Sequence, residues 1–228
     1  MDMKIIENKR IFAFDAKNEC VAEVEDGETL IFRTHDCFDN QLSEEGSTIG
    51  SLNWDCINPA TGPVYVKNAL PGDVLKVEIL EITLGKQGVM CALPDNGVLG
   101  SLVKEESVKR LKVENGKVHF NEKIVFDTNT MIGVIGVAPE KGSINCGTPG
   151  NHGGNMDNKR ITEGATLYFP VFHKGAIFSL GDVHAAMGDG EVMVSGVEIA
   201  ADVKVRLSVI KGLSIETPML ENEDSCGV

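Results

Sequence analysis

In the segment "LGDVHAAMGDGE" (180–191), Asp182 and His184 stand two positions apart. On a strand that spacing sends both side chains to one face, where a carboxylate oxygen and an imidazole nitrogen can reach the same cation. Asp189 and Glu191 repeat the spacing directly after Gly188. Hard divalent ions take oxygen ligands, whereas Zn²⁺ accepts mixed histidine and carboxylate sets. A second concentration of ligand-type residues is "IFRTHDCFDNQ" (31–41), in which His35, Asp36, Cys37 and Asp39 follow a β-like run. Capping a turn is the ordinary role of an aspartate after a strand, so Asp36 and Asp39 carry that reading beside the metal one. A third concentration lies in "EKGSINCGTPGNHGGNMDNKR" (140–160), with Asn145, Asn151, His152, Asn155 and Asp157 among glycines. Those glycines permit positive φ and close backbone approach to a ligand. No G-K-[ST] follows them, which excludes a P-loop. A stretch this long without strand or helix pattern is usually functional or disordered, and its composition is not that of a disordered segment.

The elements that must position these residues read as short β-strands bounded by Gly, Pro, Asn and Asp. They are "RIFAF", "ETLIFRTH", "GPVYV", "DVLKVEILEITL", "KIVF", "MIGVIGVA", "ATLYFPV", "AIFSL" and the long "EVMVSGVEIAADVKVRLSVI", which Glu191 opens. In "DVLKVEILEI", Leu75, Val77 and Ile79 alternate with Lys76, Glu78 and Leu80, the pattern of a half-buried strand. Only "SLVKEESVKRL" (101–111) has the charge density and propensity expected of a short helix. The core is therefore expected to be mainly β, as packed sheets or a barrel.

Composition narrows the function classes. The 228 residues allow one large domain or two small ones. A formal charge of −13 without a basic run excludes a phosphate-reading surface, so no nucleic-acid partner is expected. No apolar stretch is long enough to span a bilayer, and "MDMKIIENKR" lacks the apolar core of a signal peptide, so no membrane association is expected. The six cysteines are scattered and include no C-x-x-C pair. Reduced thiols in a cytoplasmic protein are the expectation.

Together, "HDCFDNQ", "GSINCGTPGNHGGNMD", "PVFHKGAIFSLGDVHAAMGDGEVMVSGVEI" and "NPATGPVYVKNALPGDVLKVEI" resemble the acetamidase/formamidase family of amide hydrolases, over about Arg10 to Pro218. The resemblance implies a mainly β fold, a jelly-roll-like β-sandwich with an attached barrel-like β unit and few short helices. It implies one catalytic domain over 1–228, divisible into two β subdomains near 130–160. It further implies hydrolysis of small linear amides to a carboxylate and ammonia, cytoplasmic location and a homodimer. There are two departures. Met187 stands where a glutamine is expected, and the chain stops after "IETPMLENEDSCGV", where the family's helical C-terminal segment is expected to follow.

Amide hydrolysis needs an activated water, a receptor for the oxyanion and a proton for departing ammonia. A bound divalent ion, expected to be Zn²⁺, lowers the pKa of its water toward ~7 and polarises the carbonyl. His35, Asp36, Asp182 and His184 are the expected ligands, with Asp157 and His152 as further candidates. Glu191 is the expected general base and acid, and His152 the second catalytic candidate. Asn151, Gly153, Gly154 and Cys146 are the expected substrate contacts. Backbone N–H groups of 147–154 would receive the oxyanion, a contribution of ~2.7–4 kcal/mol per donor. The number of acids is also compatible with a second, structural Ca²⁺.

Two alternatives stay open on these residues. Cys37 or Cys146 could act as a nucleophile through an acyl-enzyme. Asp36 and Asp39 would raise the pKa of Cys37, however, and both thiols are expected to be inert. A non-catalytic Ca²⁺-stabilised β module is the other alternative. The recurrence of histidine, a poor Ca²⁺ ligand, weighs against it.

Overall fold

The strand expected at "DVLKVEILEITL" extends over Val74–Ala92, 19 residues. Leu75, Val77 and Ile79 are buried and Lys76, Glu78 and Leu80 are not, as the alternation requires. The computed structural model describes residues 3–222 and the backbone of 225–227. The molecule is mainly β. Its helical content among the described residues is three single 3-10 turns, at Ile49–Ser51, Trp54–Cys56 and Gly100–Leu102.

One large, predominantly antiparallel sheet contains almost every strand. Val74–Ala92 pairs with Ser107–Glu114 on one edge and with Glu198–Ile210 along most of the other. Beyond Glu198–Ile210 come, in order, Phe178–His184, Met131–Gly136 and Gly153–Asn155. Phe178–His184 also pairs with Ala60–Val66. Glu28–Arg33 pairs with Glu198–Ile210 and carries its own parallel neighbour, Lys4–Ile6. The chain closes this part of the fold with Met219–Asn222 against Thr166–Pro170.

The main core packs against these strands, and in it Phe32, Phe169 and Phe178 are fully buried. Phe32 and Phe178 meet edge to face with ring centroids 5.6 Å apart. Each such side chain contributes about 1.5–3 kcal/mol of burial. A smaller cluster of Phe38, Leu42, Ile49, Leu52 and Val89 sits under the turn that follows Glu28–Arg33. A third, Ile11, Phe14, Ala60, Val134 and Cys146, underlies the glycine-rich segment.

Three local expectations are corrected. The helix expected over 101–111 is instead the Gly100–Leu102 turn followed by strand Ser107–Glu114. Pairing with Val74–Ala92 buries Leu111 and Val113, and the Arg110 guanidinium donates to Leu42 O at 2.8 Å and Ser47 O at 2.9 Å. Those tertiary gains outweigh a helix propensity of tenths of a kcal/mol per residue. The segment 140–160 is also not wholly irregular. Ser143–Asn145 pairs with Ala13–Asp15 and Gly153–Asn155 with Met131–Gly136. Finally, the long strand expected from 191 begins at Glu198, and Glu191 lies in a turn with φ 39°.

Candidate active site

Asp182 and His184 occupy the end of strand Phe178–His184, and both are only 2% exposed. Their i, i+2 spacing puts them on one face, with His184 Nε2 3.4 Å from Asp182 Oδ1. The neighbouring strand pairs His184 with Glu198, and the cross-strand position brings Glu198 Oε2 to 3.0 Å from His184 Nε2. On the opposite edge, Asp157 follows Gly153–Asn155 and its N–H donates to Gly133 O at 3.4 Å. Glu191 approaches from the 188–194 turn, with Oε1 3.8 Å from His184 Nδ1.

The donor atoms fall into three overlapping groups, in each of which all lie within 4.8 Å of one another. Asp157, Asp182 and His184 form one, and His184, Glu191 and Glu198 another. The third joins Asp182 and Glu198 to the sulfur of Cys37. Two glycines make room for this packing. A Cβ on Gly133 would stand 2.6 Å from Asp157 Oδ1 and 2.6 Å from Asp182 Oδ2. One on Gly196 would stand 2.8 Å from His184 Nδ1.

Four carboxylates around one buried imidazole, two of them buried and two half-buried, make an unfavourable arrangement unless charge is added. Burial, reinforced by Asp182 and Glu191, pushes the Asp157 carboxyl up to about 7. Burial likewise pushes Glu198 up to about 7, against the opposing pull of His184. The Glu191 carboxyl is raised too, first by burial. Burial drives the His184 imidazolium down, but Glu198 and Asp182 outweigh it and raise the group well above its ordinary value. Asp157 Oδ1, Asp182 Oδ1, His184 Nδ1, Glu191 Oε1 and Glu198 Oε2 are buried without a hydrogen-bond partner. Buried polar atoms are rarely left so. Oxygen, nitrogen and sulfur donors that converge, with several of the buried oxygens and the His184 Nδ1 left unpaired, fit a divalent cation.

His35 and Asp36, expected as ligands, fall outside all three groups. Asp36 Oδ1 instead accepts from Phe38 N at 3.0 Å and Asn40 N at 2.7 Å, which closes the turn. His35 Nδ1 pairs with Asp39 Oδ1 at 2.7 Å, and Arg10 Nε meets the same oxygen at 2.6 Å. Asp39 and Asn40 take left-handed φ of 54° and 61°, conformations an Asp or Asn tolerates best among non-glycine residues. Asp189 points away from the cluster and pairs with Lys159 at 3.0 Å.

His152 is also outside the groups. It is 1% exposed, meets Phe14 edge to face at 5.2 Å, and burial lowers its pKa. Asn151, Gly153 and Gly154 belong to the hairpin around that ring. Gly150 and Gly153 exchange hydrogen bonds of 2.8 and 3.0 Å, and the N–H groups of Gly147 and Thr148 donate to Asn145. Those four amides are therefore committed within the loop rather than free for an oxyanion. Cys146 is fully buried, its sulfur donates to Ile11 O at 3.5 Å, and burial pushes the thiol up to about 12.

Glu198 is the group that sequence reasoning missed. Its signal is an acid inside "VSGVEIAADV", where Val197 and Ile199 on either side are also buried. An ionisable side chain in such a run is rarely accommodated without a partner.

The acetamidase/formamidase family model matches residues 13–145 and 143–226. This chain belongs to the acetamidase/formamidase family. A solved structure of a predicted acetamidase/formamidase from Thermoanaerobacter tengcongensis is 49% identical and superposes with a TM-score of 0.93. The match covers 97% of this chain and 74% of that one. An acetamidase from Bacillus halodurans is 44% identical, with a TM-score of 0.93 over 96% of this chain and 75% of its own. A Schizosaccharomyces pombe relative is 23% identical over 261 residues, or 86% of this acetamidase/formamidase-family chain, which spans 64% of that relative's length. Among the described residues, no helix is long and apolar enough to cross a membrane.

Proposed function

We propose that this chain hydrolyses small linear amides of the formamide and acetamide type to a carboxylate and ammonia, using a divalent cation held at the acid cluster. The observation that carries the proposal is the convergence of Asp182, His184 and Glu198, each about 2% exposed and each with an unpartnered donor atom. Membership in the acetamidase/formamidase family supports amides as the substrate class.

Asp182, His184 and Glu198 would hold the cation, with Asp157 beside them. When bound, such a cation polarises an amide carbonyl and acidifies water. Glu191 keeps part of its side chain in contact with solvent, 23% exposed, whereas Asp182 and Glu198 are buried. It takes the proton of the attacking water and returns it to the leaving nitrogen, so that amide and water leave as carboxylic acid and ammonia. Burial raises its pKa, which makes it a better proton acceptor than an exposed carboxylate. Asp157 shares a wall with Asp182 across Gly133 and keeps the donor set oxygen-rich on that side.

An acyl-enzyme on Cys146 is the weaker reading, since a fully buried thiol pushed up to about 12 supplies no thiolate. Five free cysteines among the described residues fit the reducing cytoplasm. The proposal includes the homodimer implied by the family resemblance, which light scattering reads directly. A separate structural Ca²⁺ is no part of it.

The test is ammonia release from formamide and acetamide by the purified chain, after chelation and after reloading with Zn²⁺, Mn²⁺ or Fe²⁺. Release that disappears on chelation and returns with a divalent ion is the expected result. No release under any metal condition overturns the assignment.

A further inference from the structure

We propose that Cys37 is a sulfur ligand of the bound cation, and that this sulfur makes the site select a thiophilic ion of the zinc class over calcium or magnesium. The inference deepens the cation-dependent amidase reading above and rests on it for the existence of the site. Cys37 was expected to be inert from its acidic neighbours in sequence. In the fold its sulfur also faces the oxygens of Asp182 and Glu198.

The sulfur of Cys37 and oxygens of Asp182 and Glu198 lie within 4.8 Å of one another, and all three residues are buried. Asp182 Oδ1 and Glu198 Oε2 have no hydrogen-bond partner. Asp182 and Glu198 are also the residues that link Cys37 to His184, since each shares a group with it. A cation drawn to the sulfur is thus drawn to the two acids nearest the imidazole.

The turn carrying Cys37 is built rigidly. Thr34 N–H donates to Ala201 O at 2.8 Å, which ties the chain beside the strand that bears Glu198. Asp36 closes the turn through Phe38 N and Asn40 N, and Asn58 N–H donates to Cys37 O at 2.7 Å. Phe38 and Leu42 anchor the turn in an apolar cluster. Asp36, expected as a ligand, thereby serves as the positioning residue for the cysteine that follows it. A packing role alone would be met by Ala or Val, and neither offers a donor atom to the converging oxygens of Asp182 and Glu198.

Calcium and magnesium take oxygen ligands, whereas thiolate favours zinc-like ions. On binding, the S–H bond breaks as the cation–sulfur bond forms, and the proton passes to the buffer. No electrons are exchanged, so no oxidant or reductant is required.

The test uses the full chain and reads binding, not turnover. Zinc-loaded wild type is measured by X-ray absorption at the zinc edge, and cobalt-loaded wild type by near-ultraviolet absorption. One sulfur neighbour and a sulfur-to-cobalt charge-transfer band are expected. Cys37→Ser should lose the band and bind zinc at least ~100-fold more weakly, since even groups behind direct ligands cost 10–100-fold. Its calcium affinity should be unchanged. A first shell of nitrogen and oxygen only in wild type overturns the proposal, as does unchanged zinc affinity in Cys37→Ser. Should Cys37→Ser show no cooperative melt, the wild-type zinc edge decides alone. Failure here leaves the ammonia-release assay untouched, so the two readings fall separately.

Discussion

His184 Nε2 lies 3.0 Å from Glu198 Oε2, and both side chains are only 2% exposed. The two residues are direct cross-strand partners; His184 Nδ1 keeps no hydrogen-bond partner, while Glu198 Oε1 accepts from Gly196 N–H at 2.7 Å. Glu198→Gln keeps the shape and removes an anionic oxygen. We expect amide hydrolysis to fall at least ~100-fold, with a parallel loss of bound cation. Ammonia release and elemental analysis on the same preparation check it. Full activity with full cation content would remove Glu198 from the site.

Chelation should lower stability, because the unneutralised acids repel one another in the folded state only. A cation present at about 100 times its dissociation constant adds about 2.7 kcal/mol. Urea unfolding with and without chelator measures the difference. Coincident curves would contradict a cation bound by the folded chain.

Gly133→Ala places a methyl where Asp157 Oδ1 and Asp182 Oδ2 each approach to 2.6 Å. Overpacking of this kind costs about 1–3 kcal/mol. Because the carboxylates must separate to admit the methyl, cation affinity should drop more than stability does. Calorimetric titration of the metal-free variant checks this, and wild-type affinity would show that the cradle is not tight.

His152 should make stability sensitive to acid. Burial lowers its pKa in the folded state. Between that value and ~6.5, the unfolded chain binds the proton and the folded chain does not, so stability falls as pH falls. The contribution is intact above ~6.5 and is lost below it. His152→Phe retains an aromatic ring against Phe14 and should flatten the difference between unfolding at pH 7.5 and pH 5. Parallel pH curves for the two proteins would contradict a buried neutral imidazole.

Arg110 ties strand Ser107–Glu114 to the turn region through Leu42 O, Ser47 O and Ser47 Oγ. Arg110→Ala should cost about 1.5–3 kcal/mol, the range for hydrogen bonds from a charged group. Urea titration reads it, and an unchanged midpoint would show that water replaces these contacts without loss.

The candidate site was partly legible from spacing alone. Asp182 and His184 are brought together by i, i+2 spacing on a strand, and Asp157 and Glu191, singled out beside glycine turns, fall in the same donor groups. His35 and Asp36 fall outside the donor groups for a physical reason. A turn after a strand offers backbone N–H groups, and Asp36 satisfies them while Asp39 holds His35 and Arg10. Glu198 was hidden because its partner is 14 positions away and is met only through strand pairing with His184.

What the residues alone determined is the β character of the chain, through alternation and turn chemistry, and the kinds of ligand atom available to a site. Local periodicity suffices for that, because pleat and turn geometry act over a few residues. Only tertiary structure decided which acids converge, and that Ser107–Glu114 is a strand rather than a helix. Register between distant strands, and the burial that follows from it, sets those outcomes, and no short window of sequence contains it.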